Sequence, residues 1–203
     1  MTGPTTMRLY GTTTSPFVRR VRVVATEVGR PFELVNTAHD DGQARLLQAS
    51  PIWKVPVVEV DGRVLYDSRV IIDWLTSFHG WGAMKPPRDR WHEANLVNAI
   101  DGALESGVQL FYLRREGVKV DDLPYGARQR DRIASVFDWL AGQLGHHGFG
   151  DGLGLAELSL LCTLDWMAFR DVYPADRVPA AFTVLRATHD ERPSLVATRP
   201  IVT

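Results

Sequence analysis

The sequence predicts an α/β half of order βαβαββα followed by an all-helical half, and three observations lead to that expectation. Short apolar strand candidates alternate with helical spacing up to Gly80. The stretch GWGAMKPPRD, from Gly80 to Asp89, then breaks every period, and its glycines and prolines mark a linker. Beyond it only helical spacing recurs. The boundary is placed near residue 85, giving domains over 1–84, with 1–6 as a flexible tail, and 85–203.

Met7 to Tyr10 is the first strand, ending at Gly11; a polar turn, Thr12 to Ser15, leads to Pro16. A serine followed by proline is a strong helix start, because serine caps free N–H groups and proline at the first position loses none that the helix needs. Phe17, Val18, Val21, Val24, Ala25 and Val28 follow helical spacing, with Arg19, Arg20, Arg22 and Glu27 expected on the wet face and Gly29 closing the helix. Pro31 to Val35 reads as a second strand, parallel to the first through a right-handed crossover. A short polar helix is expected over about Gly42 to Gln48. Val55 to Val60 and Arg63 to Tyr66 flank Asp61-Gly62, the dipeptide of a tight type I′ hairpin. Ser68 is expected to cap a helix with Val70, Ile71, Trp74, Leu75 and Phe78 on one side.

In the second half, Leu96, Ile100, Ala103, Leu104 and Phe111 belong to one helix, and Ile133, Val136, Phe137, Leu140 and Leu144 to another. Leu155 to Phe169 is apolar on nearly all sides, as expected of a helix at the centre of a bundle. Gly102 and Gly107 interrupt a good helix at about 1 kcal/mol each, which suits a close approach.

Composition excludes several classes of function. With 203 residues, 45% of them hydrophobic, the chain can bury a core, and a formal net charge of −1 leaves no field to draw nucleic acid or an anionic membrane. No apolar run approaches the ~20 residues of a membrane span, and the first residues lack the apolar core of a secretory signal, so a cytoplasmic location is expected. One cysteine, Cys162, allows no intrachain disulfide and reads as a small core residue. His146-His147 lacks partners at ligand spacing and reads as a loop, so no metal is expected.

Three segments in order, TSPFVRRVRVVATEVG, SPIWKVPVVEVDG and LYDSRVIIDWL, resemble the amino-terminal domain of the cytosolic glutathione transferases. The likeness is to the serine-type members, bacterial and plant tau-type, and it extends to FGDGLGLAELSLLCTLDWMAFR, which resembles the family's buried central helix. It implies a thioredoxin-like glutathione-binding domain, an all-helical substrate-binding domain and a homodimer. The chain departs from the pattern in places: Ser50-Pro51 stands for the usual Asn-Pro, Trp53 for a small residue, and Gly154-x-x-Glu157 for the usual Ser/Thr-x-x-Asp capping box.

The resemblance implies glutathione as cosubstrate and Ser15 as the catalytic residue. A thiol of pKa about 8.5 is only roughly 3% ionised at neutral pH, so an enzyme must stabilise the thiolate. A serine hydroxyl at a helix start can do so by donating to sulfur where the helix dipole already favours negative charge. From position alone a plain helix cap is the commoner role for such a serine, and it is the accompanying motifs that favour the thiol role; Thr13 and Thr14 stand close by. The likeness implies a cis Val55-Pro56 bond, leaving the Val55 N–H and C=O to pair with glutathione's cysteinyl backbone as an added strand. Asp67 and Ser68, before a helix, are candidates for the γ-glutamyl ammonium and carboxylate, and Lys54 for the glycyl carboxylate. Phe111, Tyr112, Arg115 and Trp166 are candidates to line the pocket of a hydrophobic electrophile, though aromatics at this spacing also build cores.

The function implied is a transferase that holds glutathione as thiolate for attack on an electrophilic small molecule. A noncatalytic interaction module of the same fold is the alternative; keeping Ser15, Lys54, Val55, Asp67 and Ser68 together weighs against it, since such a module needs none of them. A glutathione-dependent disulfide reductase is disfavoured, because such relatives carry cysteine where Ser15 stands.

Overall fold

The computed structural model describes residues 6–145 and 148–201. The chain divides into two compact units, one running to Met84 and taking in the segment from Arg192 onward, the other Lys85–Glu191. The carboxy-terminal segment therefore belongs with the first unit, whereas the linker alone places all of 85–203 in the helical half.

The first unit contains β1 (Met7–Gly11), α1 (Pro16–Glu27), β2 (Phe32–Asn36), α2 (Asp40–Ala49), β3 (Val57–Val60), β4 (Arg63–Tyr66) and α3 (Ser68–His79). Its four strands form one sheet in the order β2-β1-β3-β4, with β1 parallel to β2 and antiparallel to β3. β3 and β4 are an antiparallel hairpin whose turn residues, Asp61 and Gly62, have φ of 49° and 72°, the two positive values a type I′ turn requires. Leu9, Val57 and Val58 from the sheet and Val18, Val21, Val24, Ile71, Ile72 and Leu75 from α1 and α3 are buried.

Two expectations about helix faces are corrected. Arg19 and Arg20 are not on a wet face: they are 3% and 2% exposed. Arg20 turns to Ser68 of α3, and Arg19 is covered by the returning carboxy-terminal segment, which contributes α8 (Pro193–Val196) and lies against α1. Arg19 Nη2 donates to the Leu195 carbonyl at 3.2 Å, and Arg192 grips Glu27 through two hydrogen bonds of 2.7 Å. Those bonds, reinforced by one from Ser194, hold the Glu27 carboxyl below its ordinary pKa of 4.5 despite burial. The buried line of α3 is Ile71, Ile72 and Leu75, while Val70 and Phe78 are exposed and Trp74 is half-buried. Val70, Trp74 and Phe78 recur every fourth residue, so they form an apolar stripe along α3.

The second unit contains α4 (Arg90–Arg115), α5 (Pro124–Gln143), α6 (Leu155–Phe169) and α7 (Ala181–His189), with 3-10 turns at Val120–Asp122 and Ala175–Arg177. α6 packs on α4, with most of its side chains buried, Cys162 among them. Gly107 explains itself here: a Cβ would lie 3.1 Å from the Met167 methyl and 3.3 Å from Val172 Cγ1. The missing side-chain cap of α6 is replaced by two glutamates. Glu157 accepts from the N–H groups of Phe149, Gly150 and Gly154, and Glu93 on α4 accepts from Leu155 N–H at 2.9 Å. Burial, followed by the nearness of Glu157, pushes the Glu93 carboxyl above the usual range. The expected His146-His147 loop lies outside the described residues.

Candidate glutathione site

The strand register gathers the candidate residues of the first unit. Tyr10, one residue before β1 ends, pairs with Val57, the first residue of β3, and Val57 also pairs with Tyr66, the last residue of β4. The exit of β1, the entry to β3 and the exit of β4 therefore share one end of the sheet. They carry Ser15, Lys54-Val55 and Asp67-Ser68 respectively.

Ser15 is the N-cap of α1: its backbone is extended, φ −75° and ψ 125°, and its Oγ accepts from Val18 N–H at 3.3 Å. That bond uses a lone pair and leaves the hydroxyl proton, which has no acceptor among the described residues. The neighbouring threonines are placed differently. Thr13 is nearly buried and donates its hydroxyl proton to the Ile201 carbonyl at 2.6 Å, and Thr14 pairs with Thr12 at 3.2 Å.

Val55-Pro56 is cis. Val55 takes no part in the strand ladder or in any other backbone hydrogen bond among the described residues, so its N–H and C=O are open to a partner. Lys54 beside it is exposed, and its ammonium has no ion pair among the described residues. Trp53 stands in the left-handed region at φ 51° with 66% of its surface exposed, an uncommon conformation for so large a side chain. The buried Ser50 hydroxyl below this loop has no hydrogen-bond partner; the shorter serine stands where the family pattern has asparagine.

Asp67 caps α3, also with positive φ, 69°, and its Oδ1 accepts from Arg69 N–H at 2.8 Å. The same oxygen lies 3.9 Å from Arg69 Nε, and Oδ2 accepts no hydrogen bond among the described residues. Ser68 is buried, and its Oγ accepts from Arg20 Nη2 at 2.6 Å and Nε at 3.0 Å. Arg20 also lies over the Phe17 ring, 5.0 Å from its centroid. Helical spacing alone places Arg20 on the wet face and gives no sign of its bonds to Ser68.

The four pocket candidates lie in the second unit. Phe111 contacts Tyr112 and Trp166 edge-on at 5.4 and 5.8 Å, and Arg170 lies over its ring. Tyr112 and Arg115 are exposed, while Trp166 is interior, where it can shape Phe111 but offers little surface of its own. A cavity of about 460 Å³ in this unit is lined instead by residues such as Lys85, Arg88, His92, Glu93 and Phe149. Among the described residues no cluster of three or more His, Cys, Asp or Glu side chains could hold a metal, and no helix is long and apolar enough to cross a membrane.

A sheet of this order, with a helix-capping serine at one end and an all-helical unit following in sequence, defines the glutathione transferase fold. The chain belongs to the glutathione S-transferase family. The model of the family's N-terminal domain matches residues 9–83 and that of its C-terminal domain residues 124–187. A glutathione transferase family member from Pseudomonas fluorescens, solved with bound glutathione, is 30% identical and superposes with a TM-score of 0.79 over 97% of this chain and 100% of its own. The uncharacterized GST-like protein YibF of Escherichia coli is 28% identical over 172 residues, 83% of this chain and 85% of its own. Glutathione S-transferase U4 of Arabidopsis thaliana is 34% identical over 70 residues, 34% of this chain and 31% of its own.

Proposed function

We propose that this protein is a glutathione transferase in which Ser15 donates its hydroxyl proton to the glutathione sulfur and holds it as thiolate. The observation that carries this reading is the division of labour in the turn before α1. The Ser15 hydroxyl accepts from Val18 and keeps its proton, while Thr13 has committed its own to Ile201. A pKa lowered by about two units needs roughly 2.7 kcal/mol of preference for the thiolate, within reach of one charge-assisted hydrogen bond and a helix terminus. The thiol proton passes to solvent, and a sulfur lone pair then forms the bond to an electrophilic carbon as a leaving group departs with its electron pair or, in an unsaturated carbonyl, as the π electrons move to the carbonyl oxygen and a proton is taken from solvent. Catalysis on this account is thiolate stabilisation and proximity, with no covalent enzyme intermediate.

The rest of the tripeptide is assigned along the same sheet end. Its cysteinyl backbone pairs with the open N–H and C=O of Val55, its glycyl carboxylate meets Lys54, and its γ-glutamyl end meets Asp67 and Ser68. Glutathione bound to the Pseudomonas fluorescens relative supports the choice of ligand. Phe111, Tyr112 and Arg115 are assigned to a hydrophobic electrophile, with Trp166 behind Phe111. The apolar stripe of Val70, Trp74 and Phe78 supports a homodimer, and the cytoplasm is the proposed location.

Isothermal titration of the purified protein with glutathione, followed by assay against a panel of chlorinated aromatic and unsaturated carbonyl electrophiles, tests the proposal. Binding with accelerated conjugation is the expected result. Binding without conjugation of any electrophile would favour the interaction module, and no binding at millimolar glutathione would overturn both the site and the activity.

A further inference from the structure

We infer that Arg20 is a positioning residue for glutathione: it occupies the Ser68 hydroxyl oxygen from behind, so that this hydroxyl can only donate, and thereby dedicates the start of α3 to the γ-glutamyl carboxylate. The inference rests on the reading of Ser68 as a glutathione contact.

A serine hydroxyl has two lone pairs and one proton. Arg20 Nη2 and Nε both donate to Ser68 Oγ, at 2.6 and 3.0 Å, which takes up both lone pairs. The proton that remains is given to no acceptor among the described residues, although Ser68 is 1% exposed. A buried hydroxyl of this kind is incomplete by one acceptor. It discriminates between the two charged groups of the γ-glutamyl end: a carboxylate accepts its proton, whereas an ammonium would find both lone pairs already taken. The guanidinium also polarises the O–H bond and places a positive charge directly behind the carboxylate.

Arginine is suited to this task in a way lysine is not. Its planar fork brings two N–H groups onto one oxygen and is held in place by the Phe17 ring, whereas an ammonium on a flexible stem would supply a single movable charge. Arg20 sits on α1, which Ser15 caps, so one helix supports two points of the tripeptide, the central sulfur from its N-cap and the γ-glutamyl carboxylate through Ser68. A guanidinium that merely tied α1 to α3 would also be buried, but it would not distinguish ligands with and without that carboxylate.

That difference is the test. S-methylglutathione and its analogue lacking the γ-glutamyl α-carboxylate are titrated into the wild type, Arg20→Met, Arg20→Lys, Ser68→Ala and the Arg20→Met/Ser68→Ala double variant of the full chain. Arg20→Met is expected to weaken S-methylglutathione by about tenfold, because the Ser68 hydroxyl is no longer oriented and polarised toward the carboxylate, and the analogue by less than about twofold. The double variant should bind no more weakly than Ser68→Ala, because Arg20 acts through Ser68. Equal weakening of the two ligands, or additive losses in the double variant, overturns the inference. If Arg20→Met does not fold, Arg20→Lys carries the comparison alone: it should lose most of the preference for the carboxylated ligand, and an unchanged preference counts against the role. Failure of the underlying reading has a separate signature, Ser68→Ala binding both ligands as the wild type does. Failure of the inference alone leaves Ser68→Ala selectively impaired and the Arg20 variants unselective.

Discussion

A hydroxyl group can spend its lone pairs and its proton on different partners, and at the sheet end that accounting separates residues that look alike in sequence. Ser15 and Thr13 are both small hydroxyl residues of one turn, yet Thr13 donates to a carbonyl and Ser15 does not. Asp67 offers a similar separation of roles. One oxygen caps α3 while the backbone takes φ 69° and ψ 132°, and asparagine, with the same shape and a cap-competent oxygen, meets the same backbone strain. Asp67→Asn should therefore leave stability within about 0.5 kcal/mol while removing the charge proposed to meet the γ-glutamyl ammonium. The KM for glutathione should rise severalfold with turnover at saturation little changed, because that contact is the same in ground and transition states. Steady-state kinetics beside a urea melt decides it: a large fall in saturated turnover would mean that Asp67 acts on the sulfur rather than on binding.

α1 is the element on which the first unit depends, and its two faces carry different predictions. Toward the sheet, a Cβ on Gly11 would sit 2.3 Å from Val18 Cγ2, so Gly11→Ala must push α1 away from β1. A loss of about 1–3 kcal/mol is expected, with recovery in the Gly11→Ala/Val18→Ala pair relative to Val18→Ala alone; a urea midpoint unmoved by Gly11→Ala would contradict the packing. On the other face, the Glu27 carboxylate is stabilised by Arg192 and so has a lowered pKa. Its contribution is fully present above the ordinary value of 4.5 and is lost as pH falls through the depressed one. Glu27→Gln should cost about 2 kcal/mol at neutral pH and flatten the acid limb of stability against pH, which denaturation at a series of pH values reads directly. This face is also where the sequence was least legible. Local signals sufficed for the turn, the α1 cap and the hairpin, since Ser15-Pro16 and Asp61-Gly62 each act within a few residues, while at α3 the cap is Asp67 rather than the expected Ser68. Arg19, Arg20 and Glu27 follow a polar helical spacing indistinguishable from a wet face, because what buries them comes from α3 or from the far end of the chain. The open stripe on α3 was misassigned for the same reason: periodicity locates an apolar face without saying whether this chain covers it. Lys54 and Val55 were legible only through the family pattern, since an exposed lysine and an open peptide carry no local signature.

At the scale of the whole molecule, the uncovered stripe of Val70, Trp74 and Phe78 makes self-association the expected state. Light scattering should give a mass near twice 22.7 kDa at micromolar concentration, and Phe78→Glu should shift it toward the monomer; a wild type that stays at 22.7 kDa would leave the stripe without its proposed cover. The central claim, that the protein exists to hold a glutathione thiolate at Ser15, is tested most directly by titrating bound glutathione through its ultraviolet thiolate absorbance. In the wild type the bound thiol should ionise about two units below the free value of about 8.5. Ser15→Ala should raise that pKa by at least about one unit, equivalent to about 1.4 kcal/mol, with a thermal melt run alongside because the lost cap alone costs about 1 kcal/mol of stability. A thiol that titrates in folded Ser15→Ala as it does in the wild type, but loses its shift in Thr14→Ala, would contradict the account and pass the sulfur to the neighbouring threonine.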